Sequence, residues 1–408
     1  MPDLHYNHLC IVTIFADTDK MNFRIFPLIL IFAFAPSASA LEYIRFMYMD
    51  KERSEEGRIL LEAPSGIAFE ARDGRYFVVP PKNLISRKSD DVPFVPYTKS
   101  EMLDRLKKEF PSEEGYYYLD TFDPFIIVYT TSRPFATWSG NLLTKLYEQY
   151  AVHWKRLGVE LNKTEFPLVA IILSNKERYQ QYAKQDGVSL LPEQCAYYHK
   201  LTNRIAVYDM SGQQALQEGN QKRVSAVDIQ RLLRQPGSYN NVMSVIHEAV
   251  HQVGFNTGMH PRFTPTPFWL YEGLATLHEV PDPRDHRVGW TLGQPHINHP
   301  RLSQLNHYFL TKDLKALQQE SPIQNMIIED KLIRQSDTAL DNYALAWGLT
   351  YYLVKKRPRE LAAYLKIMQE KAFYSQDSDD IRLRDFTSCF GDDWEKFYKD
   401  FVDFMKRL

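Results

Sequence analysis

Cysteine is scarce, three in 408 residues, too few for a disulfide scaffold in a chain this long. Neither sign of charge is in surplus: 49 Lys and Arg face 51 Asp and Glu, for a net charge of -2. Wholesale nucleic-acid binding needs a basic surplus or patch, so no nucleic-acid partner is expected. No apolar run reaches the roughly 20 residues that cross a bilayer, so no stable membrane span is expected either. Collagen-like, heptad and longer repeat periods are absent. There is no Gly-x-Ser-x-Gly elbow, which argues against an α/β-hydrolase, and no phosphate-binding Gly-rich loop. What the chain does have is 44% apolar and 25% charged residues, the usual values for a globular protein with a sizeable core. Its length suggests two to three domains.

The amino terminus reads as an export signal. Arg24 precedes the apolar run Ile25 to Ala35, and Pro36-Ser37-Ala38-Ser39-Ala40 follows. A basic start, a short apolar stretch and an Ala-x-Ala end predict a signal peptide over 21–40, cleaved after Ala40. Residues 1–20 then form an upstream extension, with Met21 as the start. The mature chain is expected in the periplasm or medium. Cys10 is lost with the leader, and whether Cys195 and Cys389 pair stays open.

Residues 41–98 read as a small β module. Tyr43 to Tyr48, Arg58 to Glu62, Ile67 to Ala71 and Tyr76 to Val79 are strand candidates, with Asp73-Gly74 as a hairpin turn. Pro80-Pro81 and Ser89-Asp90-Asp91-Val92-Pro93 read as a boundary. The main domain follows over 99–408. Its first half, 99–255, is α+β. Strand candidates are Pro124 to Tyr129, Leu168 to Leu173 and Arg204 to Tyr208. Leu142, Leu143, Leu146, Tyr147, Tyr150, Trp154 and Leu157 fall at helical spacing, and 176–185 reads as a polar surface helix. The second half, 256–408, is helical, with a break near Pro358.

The chemistry concentrates at His247-Glu248-Ala249-Val250-His251. Histidines at i and i+4 share one helix face and can present ring nitrogens to one metal, while Glu248 beside them can serve as general base. With 12 His in the chain, a chance match is on the order of one or two in a hundred, so the motif is a strong signal. Val242, Val245, Ile246, Ala249 and Val253 supply the helix's apolar stripe, and Gly254 reads as its stop. A catalytic zinc needs a third ligand and an open position. A third histidine in the short spacing is excluded, because Thr257 occupies that position and His260 comes three residues too late. The alternative is Glu272, in Phe268-Trp269-Leu270-Tyr271-Glu272-Gly273-Leu274-Ala275-Thr276. Pro261, Pro265 and Pro267 reverse the chain before it, and Gly273 is expected to let the two metal helices approach closely.

These residues resemble the gluzincin metallopeptidases, and more closely the largely secreted bacterial family called domain of unknown function 1570. The resemblance runs from about residue 100 to the C-terminus. It takes in Asn203-Arg204-Ile205, Tyr343-Ala344-Leu345-Ala346-Trp347 and Asp385-Phe386. It implies an α+β, zincin-like fold, a twisted and mostly antiparallel sheet against helices, with an edge strand that pairs with an extended peptide. It implies zinc on His247, His251 and Glu272, with Glu248 as base, acting on a peptide or protein substrate. A tyrosine donor to the oxyanion is also implied. Tyr343 is the choice, with Tyr351 and Tyr352 as competitors and a core aromatic as the plain alternative. The Gly-x-Met-Glu-Asn segment with which related aminopeptidases hold a free amine is missing, which tilts the reading toward an endopeptidase. The rival readings are a zinc-bearing binding protein with a peptidase fold and an amidase on cell-wall peptides.

Other polar residues carry weaker cases. Glu279 lies two turns beyond Glu272 and could orient a ligand, although a surface carboxylate is the favoured reading. His260, His278, His296 and His299 are expected not to be ligands. Arg301 is read as pairing with an Asp or Glu, with a substrate carboxylate as the alternative.

Overall fold

The computed structural model describes residues 40–211, 225–234, 236–281, 295–331 and 338–408. The expected extension over 1–20, the leader up to residue 39, and Cys10 lie outside these. The first element is a five-stranded sheet, antiparallel throughout, of β1 (Ala40–Tyr48), β2 (Lys51–Ala63), β3 (Gly66–Ala71), β4 (Tyr76–Val79) and β5 (Leu84–Pro93), in the order β4-β3-β2-β1-β5. Alternation builds it: Ile44 and Phe46 of β1 are buried with Phe69, Phe77 and Val79, while Arg45 and Met47 point to solvent. The charged stretch expected to end the module is instead its fifth strand. β5 is an edge strand paired only to β1 and mostly exposed, so it carries no apolar pattern to betray it.

The second sheet consists of β6 (Tyr117–Phe122), β7 (Phe125–Tyr129), β8 (Leu168–Leu173), β9 (Ala196–His199) and β10 (Arg204–Tyr208), in the order β6-β7-β8-β10-β9. β6–β7 and β10–β9 are antiparallel, whereas β7–β8 and β8–β10 are parallel. The sheet is therefore mixed and not mostly antiparallel as expected. Helical crossovers are the reason. α2 (Arg133–Arg156) carries the chain from β7 to β8, and α3 (Lys176–Gln185) carries it on from β8; such returns make parallel pairs. Both faces are covered. Ile126, Val128, Val169 and Ile171 meet α3 and α1 (Lys99–Glu109). Ile127, Ala170 and Ile172 meet α2 and the helices that follow. Burial on two faces is why these strands read as unbroken apolar runs.

After residue 225 the described residues hold helices and no strand: α4 (Ala226–Leu233), α5 (Pro236–Asn256), α6 (Phe268–His278), α7 (His299–Leu305), α8 (Leu314–Glu320), α9 (Pro322–Ile328), α10 (Ala339–Lys356), α11 (Pro358–Gln369), α12 (Asp379–Phe390) and α13 (Trp394–Met405). The break expected near Pro358 separates α10 from α11. No helix among the described residues is long and apolar enough to cross a membrane. Cys195 and Cys389 are free thiols.

The β module is joined to the rest through Arg262, in the loop between α5 and α6. Arg262 donates Nη1 to Gly74 O at 2.8 Å and Nη2 to Glu70 Oε1 at 3.1 Å. Tyr76 N donates to Leu201 O at 2.7 Å. Glu70 is 2% exposed and is also paired with Arg58, which in turn meets the more exposed Glu165, so two arginines and two glutamates balance at the junction.

Gly273 has a different neighbour from the one expected. A Cβ there would lie 2.1 Å from Thr350 Oγ1 and 2.9 Å from Ala346 O, so the close approach is between α6 and α10. Glycine to alanine inside a helix ordinarily gains about 1 kcal/mol. Here Thr350 can turn its hydroxyl away, but the Ala346 carbonyl is backbone and cannot. Gly273→Ala is therefore expected to destabilise the fold by about 1–3 kcal/mol, the usual cost of overpacking. A thermal midpoint equal to or above wild type would contradict this packing.

Candidate metal centre

α5 is held against the second sheet by polar contacts as well as by its apolar stripe. Val242, Val245, Ile246, Ala249 and Val253 are all buried. Gln252 donates Nε2 to Asn203 O at 2.8 Å and to Val169 O at 3.2 Å. Asn256 and Asn203 exchange side-chain hydrogen bonds at 2.7 and 2.8 Å. Gly254 does not end the helix, which runs on to Asn256. Its missing side chain makes room for His260, whose Nε2 would sit 2.8 Å from a Cβ at that position.

α6 is buried along its whole length. Its first turn is tied down by Asp330, whose Oδ1 accepts from Phe268 N at 2.9 Å and which is gripped by Arg382 at 2.7 and 2.8 Å. Two rigid helices thus bring three side chains to one point. The ligating atoms of His247, His251 and Glu272 all lie within 4.8 Å of one another, and all three residues are 0% exposed. Among the described residues this is the one such group of His, Cys, Asp or Glu. His247 Nε2 is 3.1 Å from Glu272 Oε2 and 3.2 Å from His251 Nε2. Glu272 Oε1 has no hydrogen-bond partner.

Glu248 does not join the three. It points at the edge strand β9, where its Oε2 accepts from Tyr198 N at 2.9 Å. Burial raises its pKa, against the lowering effect of His247, His251 and the Tyr198 N–H. Burial also opposes a charge on His247, but hydrogen bonds and charge from Glu272 and Glu279 outweigh it and hold the ring at about 10. Glu272 is drawn down to about 2, since the histidines overcome the penalty of burial.

Glu279 corrects the sequence reading. It is 0% exposed, not a surface carboxylate, and its Oε2 lies 2.8 Å from His247 Nδ1. Its Oε1 accepts from Asn298 Nδ2 at 2.7 Å and stands 3.5 Å from Arg301 Nε. Arg301 thus faces a carboxylate of the protein itself, the reading favoured for it. Tyr343 is buried, with its ring centre 6.5 Å from that of His247. The ring contacts of Tyr351 and Tyr352 are with Trp347, Phe397, Phe401 and Phe404 instead. Asn298 and the Tyr198 N–H went unnoticed in the sequence; the first is one of many polar loop residues, and the second is a backbone group that no side-chain pattern marks.

His260, His278, His296 and His299 stay outside the group of three. His299 is exposed and His296 half-buried, while His260 is fully enclosed near Phe255. His278 packs against His153 with ring centres 5.1 Å apart. Burial, then Lys355 and Arg156, lowers His153 to about 4, and burial with His153 holds His278 well below 6.5. An unfolded chain takes up these protons below pH 6.5 and the folded one does not. His153 therefore costs stability as pH falls from about 6.5 toward 4, by about 1.4 kcal/mol per unit, and His278 adds a cost of the same sign. His153→Phe is expected to flatten the acid side of the stability profile by about that slope. Denaturant melts at pH 6.5 and 5 test it, and equal slopes in the two proteins would refute it.

Residues 241–373 match the family described as "Protein of unknown function (DUF1570)", the family that the sequence resembles. The matched stretch contains His247, Glu248, His251, Glu272, Glu279 and Tyr343, but is shorter than the extent read from the sequence, leaving out Asn203-Arg204-Ile205 and Asp385-Phe386. No curated protein matches the chain.

Proposed function

We propose that this chain is an exported zinc metallopeptidase of zincin-like fold, hydrolysing peptide bonds within a peptide or protein substrate. The observation that carries the reading is the convergence of His247, His251 and Glu272 with Glu248 alongside. The donor set fits a divalent cation. Two imidazoles and a carboxylate suit zinc. Glu248, Glu272 and Glu279 are three buried carboxylates and, among the described residues, Arg301 is the guanidinium that faces one of them, so a dication taking the place of the proton on His247 would offset negative charge there. His247, His251 and Glu272 would hold it.

Zinc bound there would supply a Lewis acid that polarises the scissile carbonyl and brings the pKa of a water toward neutrality. Glu248 follows His247 on α5 and is held by the Tyr198 N–H, and it would take a proton from the attacking water and pass it to the leaving amine. Its burial raises its proton affinity, which suits a group that must bind and then release a proton. Tyr343 borders His247 and would donate its phenol O–H to the developing oxyanion. β9 is the edge of the second sheet, and its Tyr198 N–H faces the site. An extended peptide pairing with β9 would use its other backbone groups, since Glu248 takes the Tyr198 N–H. Export follows from Arg24, the short apolar run and Ala38-Ser39-Ala40.

The deciding experiment is metal analysis of the purified chain together with digestion of a mixed-peptide library. One zinc per chain and internal cleavages support the proposal. A chain that holds zinc and cleaves no peptide is instead a binding protein built on a peptidase fold. Cleavage confined to cell-wall peptides makes it an amidase on that polymer.

A further inference from the structure

We infer that Arg301 is a positioning residue which, through Glu279, sets how His247 presents its ring to a metal, with the face of Tyr343 as its seat. The inference rests on the reading of His247, His251 and Glu272 as a metal-holding set and adds the residues that tune it.

The geometry starts at Glu279. Its Oε2 meets His247 Nδ1 at 2.8 Å. A carboxylate in that place requires the proton on Nδ1, which turns the Nε2 lone pair toward Glu272 and His251. Glu279 does this as an anion, and an anion that is 0% exposed needs a compensating charge. Arg301, 2% exposed, faces it on the side away from His247, with Nε 3.5 Å from Oε1. Asn298 organises the pair: its Nδ2 donates to Glu279 Oε1 at 2.7 Å, and its Oδ1 caps α7 by accepting from Arg301 N at 3.3 Å.

Arg301 is itself unusual. Its Nε and Nη2 are buried and make no hydrogen bond. The guanidinium is held instead by charge and by an aromatic face, 5.3 Å over the ring of Tyr343. That ring is the one that adjoins His247. α7 and α10 are further locked by Gln304 Nε2 donating to Asp341 Oδ1 at 2.5 Å. His247, Glu279, Arg301 and Tyr343 therefore form a closed circuit, each in contact with the next. A substrate carboxylate at Arg301 would have to compete with Glu279, which already faces its guanidinium.

The test uses the full chain stripped of metal and titrated with zinc against a chromophoric chelator, with cobalt(II) visible spectra as a second readout. Glu279→Gln keeps size and loses charge; zinc affinity is expected to fall by about 10–100-fold, the usual cost of losing a ligand's outer partner. Arg301→Met should weaken zinc similarly and shift the cobalt bands. Arg301→Lys keeps the charge that faces Glu279 but loses the guanidinium plane seated on Tyr343, so it should recover part of the affinity lost in Arg301→Met. Tyr343→Leu should act like Arg301→Met, and Tyr343→Phe, which keeps the ring, should hold zinc as wild type does. If Arg301→Met fails to fold, Tyr343→Leu, which removes the seat of Arg301, and Glu279→Gln decide together. Wild-type affinity in Glu279→Gln overturns the inference. So does an Arg301→Lys as weak as Arg301→Met, since the residue would then act by packing. A wild type that binds no zinc at all fails earlier, at the metal-holding reading.

Discussion

Glu248→Gln is expected to lower peptide hydrolysis by at least about a hundredfold, the lower end of what a positioned acid–base group contributes, while zinc stays bound. The separation follows from where the side chain points. Glu248 is outside the group of three ligating residues and turns to Tyr198 N at 2.9 Å. Glutamine keeps the carbonyl oxygen that accepts this N–H, so the edge strand and α5 keep their contact. Burial costs less for the neutral amide than for a carboxylate, so the fold should not suffer. What disappears is the capacity to take a proton. Tyr343→Phe should show a smaller or comparable loss, since removing one oxyanion donor costs roughly 3 kcal/mol. Steady-state rates and zinc content, measured on the same preparations, test both statements. A Glu248→Gln protein that cleaves as fast as wild type would show the mechanism to be wrong.

Glu272→Ala is expected to weaken zinc binding by more than the about 10–100-fold that follows loss of an outer partner, because it removes one of the three proposed ligands. The two histidines would remain on α5, and His247 would keep its contact to Glu279. Zinc-dependent stabilisation should shrink accordingly. Ligand at a thousand times its dissociation constant stabilises by about 4 kcal/mol, and most of that difference in melting should vanish. His251→Ala should behave the same way. Unchanged zinc affinity in Glu272→Ala would mean that the third ligand is misassigned. His260 or His278 would then have to be considered, although neither groups with His247 and His251 in the structure.

Much of the secondary structure was legible because local pattern and tertiary burial agree. β7, β8 and β10 are buried on both faces, so composition alone marks them. β5 and β9 escaped for opposite reasons. β5 is an exposed, charged edge, and β9 is a four-residue strand, Ala196-Tyr197-Tyr198-His199, too short to show a period. Gly254 and Gly273 were noticed but given the wrong roles. A bare Cα signals that something comes close, and not what comes.

The sequence by itself determined the contents of the site. His247, Glu248 and His251 lie within five positions, and helical geometry dictates that the two histidines share a face. Glu272 stands on its own apolar helix 21 positions after His251. Tertiary structure alone decided their surroundings. Glu279 reads as an ordinary carboxylate two turns along α6, yet it is sealed against His247 because α7 brings Asn298 and Arg301 over it. The difference has a physical cause. A helix repeats every 3.6 residues, so contacts within it can be counted along the chain. Burial and charge balance depend on which distant segments pack across it, and no spacing in the sequence encodes that.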